Sequence, residues 1–90
     1  MKIKRLYEAY KQAQTEMDRI EAEMDDALEN GTADEMERAE DAFDTYYAGT
    51  YFPAYKALSE EVVKLTGVEA STARAMIANP RFDDLLSRLA

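Results

Sequence analysis

Carboxylates dominate what this chain could do chemically. Between Thr15 and Thr50, thirteen Asp or Glu stand against two Arg, a local charge of −11 in a chain whose net charge is −8. Carboxylates at this density could chelate a hard cation, exchange a proton or present a negative surface. The Asp/Asn spacing with central Gly of a calcium loop is absent, and the turn from Glu29 to Glu35 is too short to wrap an ion. A carboxylate pair working as acid and base needs a cleft that raises one pKa, and a narrow helical hairpin offers none. A surface remains. Such a field opposes folding and steers basic partners inward, which makes Glu16, Glu21, Glu23, Asp25, Asp26, Glu29, Glu37, Glu40, Asp41 and Asp44 the candidate contact residues.

The other reactive groups are few. The chain has no His and no Cys, so Ser59, Ser71 and Ser87 have no imidazole to activate them. Zinc sites built from Cys and His are excluded. Gly31, Gly49 and Gly67 stand alone, so no glycine-rich loop cradles phosphate. The sequence points away from an enzyme and implies neither cofactor nor metal. Tyrosine is the second concentrated chemistry: Tyr46, Tyr47, Tyr51, Phe52 and Tyr55, with Tyr7 and Tyr10 far upstream. Helical spacing puts Tyr47, Tyr51 and Tyr55 on one stripe that fills core. Four aromatics within seven residues exceed what one narrow seam can bury, so one or two should project. Tyr is a frequent interface anchor; Tyr47 and Tyr51 therefore join the candidate surface, with homodimerisation through this patch as one consequence.

The elements that position these groups are legible in the apolar spacing. Ile3, Leu6, Tyr10, Ala13, Met17, Ile20, Met24 and Ala27 alternate three and four apart, a coiled-coil seam held for nearly four heptads. Every acid from Glu8 to Glu29 lies off it. Asn30-Gly31 reads as a left-handed stop, and Thr32-Ala33-Asp34-Glu35 fits a capping box that restarts the helix. Met36, Ala39, Phe43, Tyr46 and Tyr47 carry the period onward, and a turn this short permits only an antiparallel hairpin. Folding about Gly31 brings Tyr7 and Tyr10 to Tyr51, Phe52 and Tyr55 as an aromatic layer at the open end. Gly49 and Pro53 kink or break the second arm. The seam resumes at Ala54, Leu58, Val62 and Leu65, which favours kinked continuation, although Ser59-Glu60-Glu61 is also an acceptable helix start. Gly67 ends that arm, Val68 to Ala78 form a short helix, and Asn79-Pro80 opens a last one. The fold expected is therefore all-α and a single domain over 1–90. It has a long antiparallel hairpin, about 3–29 and 33–66 with its kink or break near 49–53, and two short C-terminal helices packed on the open end.

Residues 61–79 carry a local resemblance. Glu61-Val62-Val63-Lys64-Leu65-Thr66-Gly67-Val68-Glu69-Ala70-Ser71-Thr72-Ala73-Arg74-Ala75-Met76-Ile77 resembles a helix-turn-helix of the lac-repressor type. Gly67 sits at the turn, and Ser71-Thr72 would open the recognition helix. The resemblance implies that Ser71, Thr72 and Arg74 face a DNA major groove. The sequence departs from the pattern at Val63, where a small residue is usual, and at Ala73, where a branched aliphatic is.

Charge ranks the partners. Residues 1–14 hold four bases and one acid, and residues 51–90 hold five of each. Nucleic-acid affinity rests largely on phosphate neutralisation, so the middle third would repel a duplex. Many acids are helical neighbours of one another, among them Asp18/Glu21, Asp25/Glu29 and Glu37/Asp41, and each such pair costs roughly 0.2–0.5 kcal/mol in a helix. Only Asp34/Arg38 and Glu16/Arg19 offset them. The expectation is a non-enzymatic, acidic interaction protein that binds a basic protein surface, of the kind that handles nucleic acid. In size, charge and fold class it is similar to phage and mobile-element inhibitors, anti-CRISPR proteins included. A helix-turn-helix regulator using 61–79, or a structural or assembly subunit, are the alternatives. No apolar run reaches membrane-spanning length, and polar Glu8, Lys11 and Gln12 follow the basic start where a signal peptide needs apolar residues; the expected location is cytoplasmic.

Overall fold

Helix formers and an unbroken seam make the first helix long. In the structure, a computed structural model that describes residues 2–89, α1 runs over Lys2–Asn30, 29 residues. Its seam faces inward as the spacing requires: Ile3, Tyr10, Ala13, Met17 and Ile20 are buried, and Leu6, Met24 and Ala27 are half-buried.

The reversal at Gly31 works differently from the expected left-handed stop. Gly67, not Asn30 or Gly31, is the described residue with positive φ. What Gly31 supplies is close approach. A Cβ there would lie 2.6 Å from the Ala27 carbonyl oxygen, the same oxygen that accepts the Gly31 N–H at 2.9 Å. Thr32 then caps α2 (Ala33–Tyr46), its hydroxyl oxygen accepting from the Glu35 N–H at 3.2 Å. That is one half of the expected capping box. The returning Glu35 hydrogen bond does not form among the described residues, and Asp34 and Glu35 instead favour the helix start through the dipole.

The second arm does not break. Between α2 and α3 (Phe52–Thr66) the chain passes through one π-helical turn, Tyr47–Tyr51, in which the Phe52 N–H donates to the Tyr47 carbonyl five residues back. A widened turn accommodates Pro53, which has no N–H and whose ring crowds the carbonyl four residues earlier. Ser59 lies inside α3 rather than at its start, and its hydroxyl donates to the Tyr55 carbonyl at 2.8 Å. Gly67, at φ 75°, closes α3. Helix α4 covers Ala70–Ala78, two residues later than the apolar pattern suggested, and α5 covers Phe82–Leu89. Asn79 opens the last turn through its side chain, its Oδ1 accepting the Arg81 N–H at 2.8 Å; the helix proper starts two residues after Pro80.

The core is thick at one end only. Ile3, Tyr10, Leu58, Val62, Ala73, Ile77, Phe82 and Leu86 form one cluster where α4 and α5 close the open end of the hairpin. Toward the turn two helices pack alone, and α2 buries no residue fully. The result is a rod of 48 × 22 × 20 Å with a radius of gyration of 15.8 Å, against about 12 Å for a compact chain of this length.

This gradient sets the response to truncation. Leu58 is wholly buried and Leu28 is 53% exposed, so Leu58→Ala should cost about 2–5 kcal/mol and Leu28→Ala less than about 0.5 kcal/mol in denaturant titrations. Gly31→Ala should cost roughly 1–3 kcal/mol, because the atom in the way is backbone.

Candidate interaction surface

The acids of α1 and α2 sit where the seam forces them, on the outer faces of the thin half of the rod. Glu21, Glu23, Asp25, Asp26, Glu29, Glu37, Glu40, Asp41 and Asp44 are exposed, and Glu16 is half-buried. Among the described residues no three carboxylates converge where a metal ion could sit. Arg19 is the cation that answers them: its Nε donates to Glu16 Oε1 at 3.0 Å, and it pairs with Glu23 as well. That hydrogen bond holds the Glu16 carboxyl below the usual range and raises the Arg19 pKa. The expected Asp34–Arg38 pair does not close to ion-pair distance among the described residues, so the arm nearer the turn is left unneutralised.

Charge order along α1 runs against its dipole. Lys2, Lys4 and Arg5 stand at the positive N-terminus, with no acid in the first turn, and Asp26 and Glu29 stand at the negative C-terminus, with no base in the last. Each misplaced charge costs about 0.3–1 kcal/mol at low salt. The open end also holds a buried carboxylate. The Glu61 side chain is 10% exposed, and Lys2 Nζ lies 3.5 Å from it. Glu61 shares α3's buried side with Leu58 and Val62, a place that a pattern of apolar residues does not mark because the residue is charged.

The aromatic layer forms largely as the hairpin geometry requires. The Tyr10 ring lies 5.9 Å from Tyr51 and 5.7 Å from Tyr55. Tyr7 goes elsewhere: its ring meets Phe82 edge-on at 5.1 Å, while Lys11 Nζ sits 5.3 Å from the centre of that ring. Phe43, Tyr47, Tyr51 and Tyr55, four residues apart, stack as a ladder with centroid spacings of 6.4, 5.7 and 6.4 Å. In a 3.6-residue helix such a series drifts by about 40° per step. The wide π turn takes up much of that drift and keeps the rings in line. Tyr47 of the ladder and Phe52 beside it project, 44% and 45% exposed; Tyr51 is half-buried.

Two further features flank the ladder. In the helix-turn-helix-like segment, α4 turns Ala73 and Ile77 into the core and leaves Ser71, Thr72 and Arg74 exposed. Between α3 and α4 lies a groove of about 450 Å³ floored by Phe52, Tyr55, Val63 and Ala70, with Lys56, Glu60 and Arg74 around it. Sequence reasoning missed this groove. Its signal was a second stripe, Phe52, Lys56, Ser59 and Val63, spaced four, three and four on the face of α3 opposite the seam.

Alkaline pH reports the layer. Burial, followed by the neighbouring Tyr51 and Tyr55 hydroxyls, pushes the Tyr10 pKa up; burial and then Asp83 raise that of Tyr7. A raised folded-state pKa favours the protonated phenol, so its stabilisation is complete below the unfolded value of about 10 and is lost as pH rises beyond it. Thermal melts should fall from about pH 10 upward, and Tyr10→Phe should flatten that fall. A melt that stays level across the same range, or a fall unchanged in Tyr10→Phe, would show that Tyr10 ionisation does not couple to folding.

No family model, curated protein or solved structure matches the chain, and functional assignment rests on the geometry just described.

Proposed function

We propose that this chain is a non-enzymatic interaction protein whose acidic hairpin engages a basic protein surface. The carrying observation is that the charges of α1 and of the acidic band are placed against the hairpin's own stability. Both arms of the hairpin are acidic, so neither can neutralise the other across their flanks. Cations and anions lie at the wrong ends of α1, and Arg19 is the base that pairs within the band. A surface selected only for solubility has no need of this; charges of both signs would serve as well and oppose folding less. A basic groove that otherwise holds nucleic acid is the matching partner class. A protein filling such a groove would act as phage-borne and mobile-element-borne inhibitors do, anti-CRISPR proteins among them.

A second reading has its own observation. Gly67 makes the turn in the left-handed conformation, and Ser71, Thr72 and Arg74 are exposed on α4 while Ala73 and Ile77 are buried. A DNA-binding regulator would use those three residues, with Lys64, Arg81 and Arg88 for phosphates. Against this, Arg74 is the sole base of α4, and the acidic arm belongs to the same small rod.

Two measurements separate the readings. Affinity for the basic partner recovered by pull-down from the source cells should fall at least tenfold between about 50 and 500 mM salt, over which the Debye length shrinks several-fold. Replacing Glu21, Asp25 and Glu29 by Gln should weaken it comparably. Binding indifferent to both changes would remove the charge argument. In mobility shifts on random duplex at low salt, where non-specific affinity is greatest, the interaction-protein reading expects no shift. A shift abolished by Arg74→Ala would install the DNA-binding reading instead.

A further inference from the structure

The outer face of the second arm is complementary to itself. Asp44, Ala48, Phe52 and Lys56 follow one another at four-residue intervals, and all four are exposed. Four-residue spacing keeps helical residues on one face, and the π turn between Ala48 and Phe52 corrects the drift that four-residue steps accumulate. The stripe continues at one end into Asp41 and Glu37, and at the other into the groove between α3 and α4. Phe52 packs beside the Tyr47 ring at 6.1 Å yet remains a large apolar group 45% exposed. Ala48 and Gly49 beside it leave room, with no atom within 4 Å of where a Gly49 Cβ would stand.

We infer that this face binds a second copy of the chain, antiparallel, about a two-fold axis crossing the arm at the level of Thr50. The sequence around that point dictates the register. A two-fold at 50 places Phe52 of each copy on Ala48 of the other, and Asp44 against Lys56. One step outward, Asp41 and Glu37 of one copy lie level with buried Ser59 and half-buried Val63 of the other, at the mouth of the groove whose rim carries Arg74. Each contact occurs twice, as an isologous interface requires. Glu60 falls level with Glu40 of the second copy, a like-charged pair beside Arg74.

Whole-molecule charge selects the same arrangement. Residues 15–50 carry −11, and residues 1–14 carry four bases against one acid. Parallel association would bring two acidic arms together. Antiparallel association sets each acidic arm beside the other copy's Lys56, Lys64 and Arg74 and sends the two hairpin turns to opposite ends. The outer acids of α1 remain free for the basic partner, whereas Glu37, Asp41 and Asp44 of α2 are shared between the dimer and the candidate acidic surface.

Size fixes the expected strength. The stripe from Glu37 to Val63 is about 40 Å of helix and one helix diameter wide. That burial falls among small, weak interfaces, so self-association belongs in the micromolar range, on the order of 10–100 µM.

Sedimentation equilibrium from 1 µM to 1 mM should show a monomer–dimer equilibrium. Phe52→Glu should weaken it by roughly 30-fold or more, as loss of an aromatic anchor does. Asp44→Lys and Lys56→Asp should each weaken it about tenfold, and the double exchange should recover most of the loss. Zero-length carbodiimide coupling gives a direct readout. Within one chain Asp44 and Lys56 are separated by about 18 Å of helix, beyond amide-bond reach, so an Asp44–Lys56 crosslink found by mass spectrometry must join two copies. A monomer throughout the range overturns the inference. So does a dimer in which Phe52→Glu changes nothing, or one whose crosslinks join other pairs. Circular dichroism of each variant confirms that the arm is folded.

Discussion

The constraint on which everything else depends is the width of the α1 seam. One helix with an apolar stripe at alternating three- and four-residue spacing can cover one partner helix and little more. At the open end that stripe meets α3, α4 and α5 together, and it yields wholly buried residues such as Leu58, Val62 and Ala73. Toward the turn it meets α2 alone, and the same spacing produces only half-buried Met24 and Ala27. Core thickness and charge therefore vary in opposite senses along the rod. The end able to tolerate repulsion carries little, and the thinly packed end carries thirteen carboxylates.

That opposition gives the acidic arm its character. Like-charged neighbours weaken a helix by a few tenths of a kcal/mol each, and the apolar contacts that offset them are fewest there. The distal hairpin is thus the segment whose local opening requires least free energy, and the one most altered by a counter-charge. Screening by salt and neutralisation by a basic surface act on the same repulsion. A partner that neutralised the arm would also firm it, so binding and local stability would be coupled through one electrostatic term.

Much of this was legible from residue order, and the parts that were not share a cause. The eight seam residues of α1 lie inward because spacing along one helix is a local property. The hairpin, its capped restart at Thr32 and the helix end at Gly67 follow from similarly short-range rules. What escaped were features set by several elements at once. Gly31 is required by the nearness of the Ala27 carbonyl, not by its own torsion angles. Tyr7 chooses Phe82 over the tyrosine ladder because α5 arrives on that side. Glu61 is buried because α3 is covered from two directions, and the groove exists only where α3 and α4 come together. Candidate contact residues were identifiable by type and exposure; their shared face was not, since it depends on the width of a single turn.

That turn has a consequence for how the chain tolerates changes in length. Five residues, Tyr47 to Tyr51, occupy a stretch that ordinary α geometry would fill with one fewer. Deleting one of them would leave a regular helix with better hydrogen bonds, and local preference would favour the product. Forcing all five into regular α geometry would instead rotate everything beyond by about 100°, carrying Leu58 and Val62 off the α1 seam and turning Phe52 away from Ala48. The widened turn acts as a phase adjuster, absorbing one extra residue while α2 and α3 stay in common registry. In this fold an apparent flaw in the helix is what lets the protein's inside and outside be specified independently.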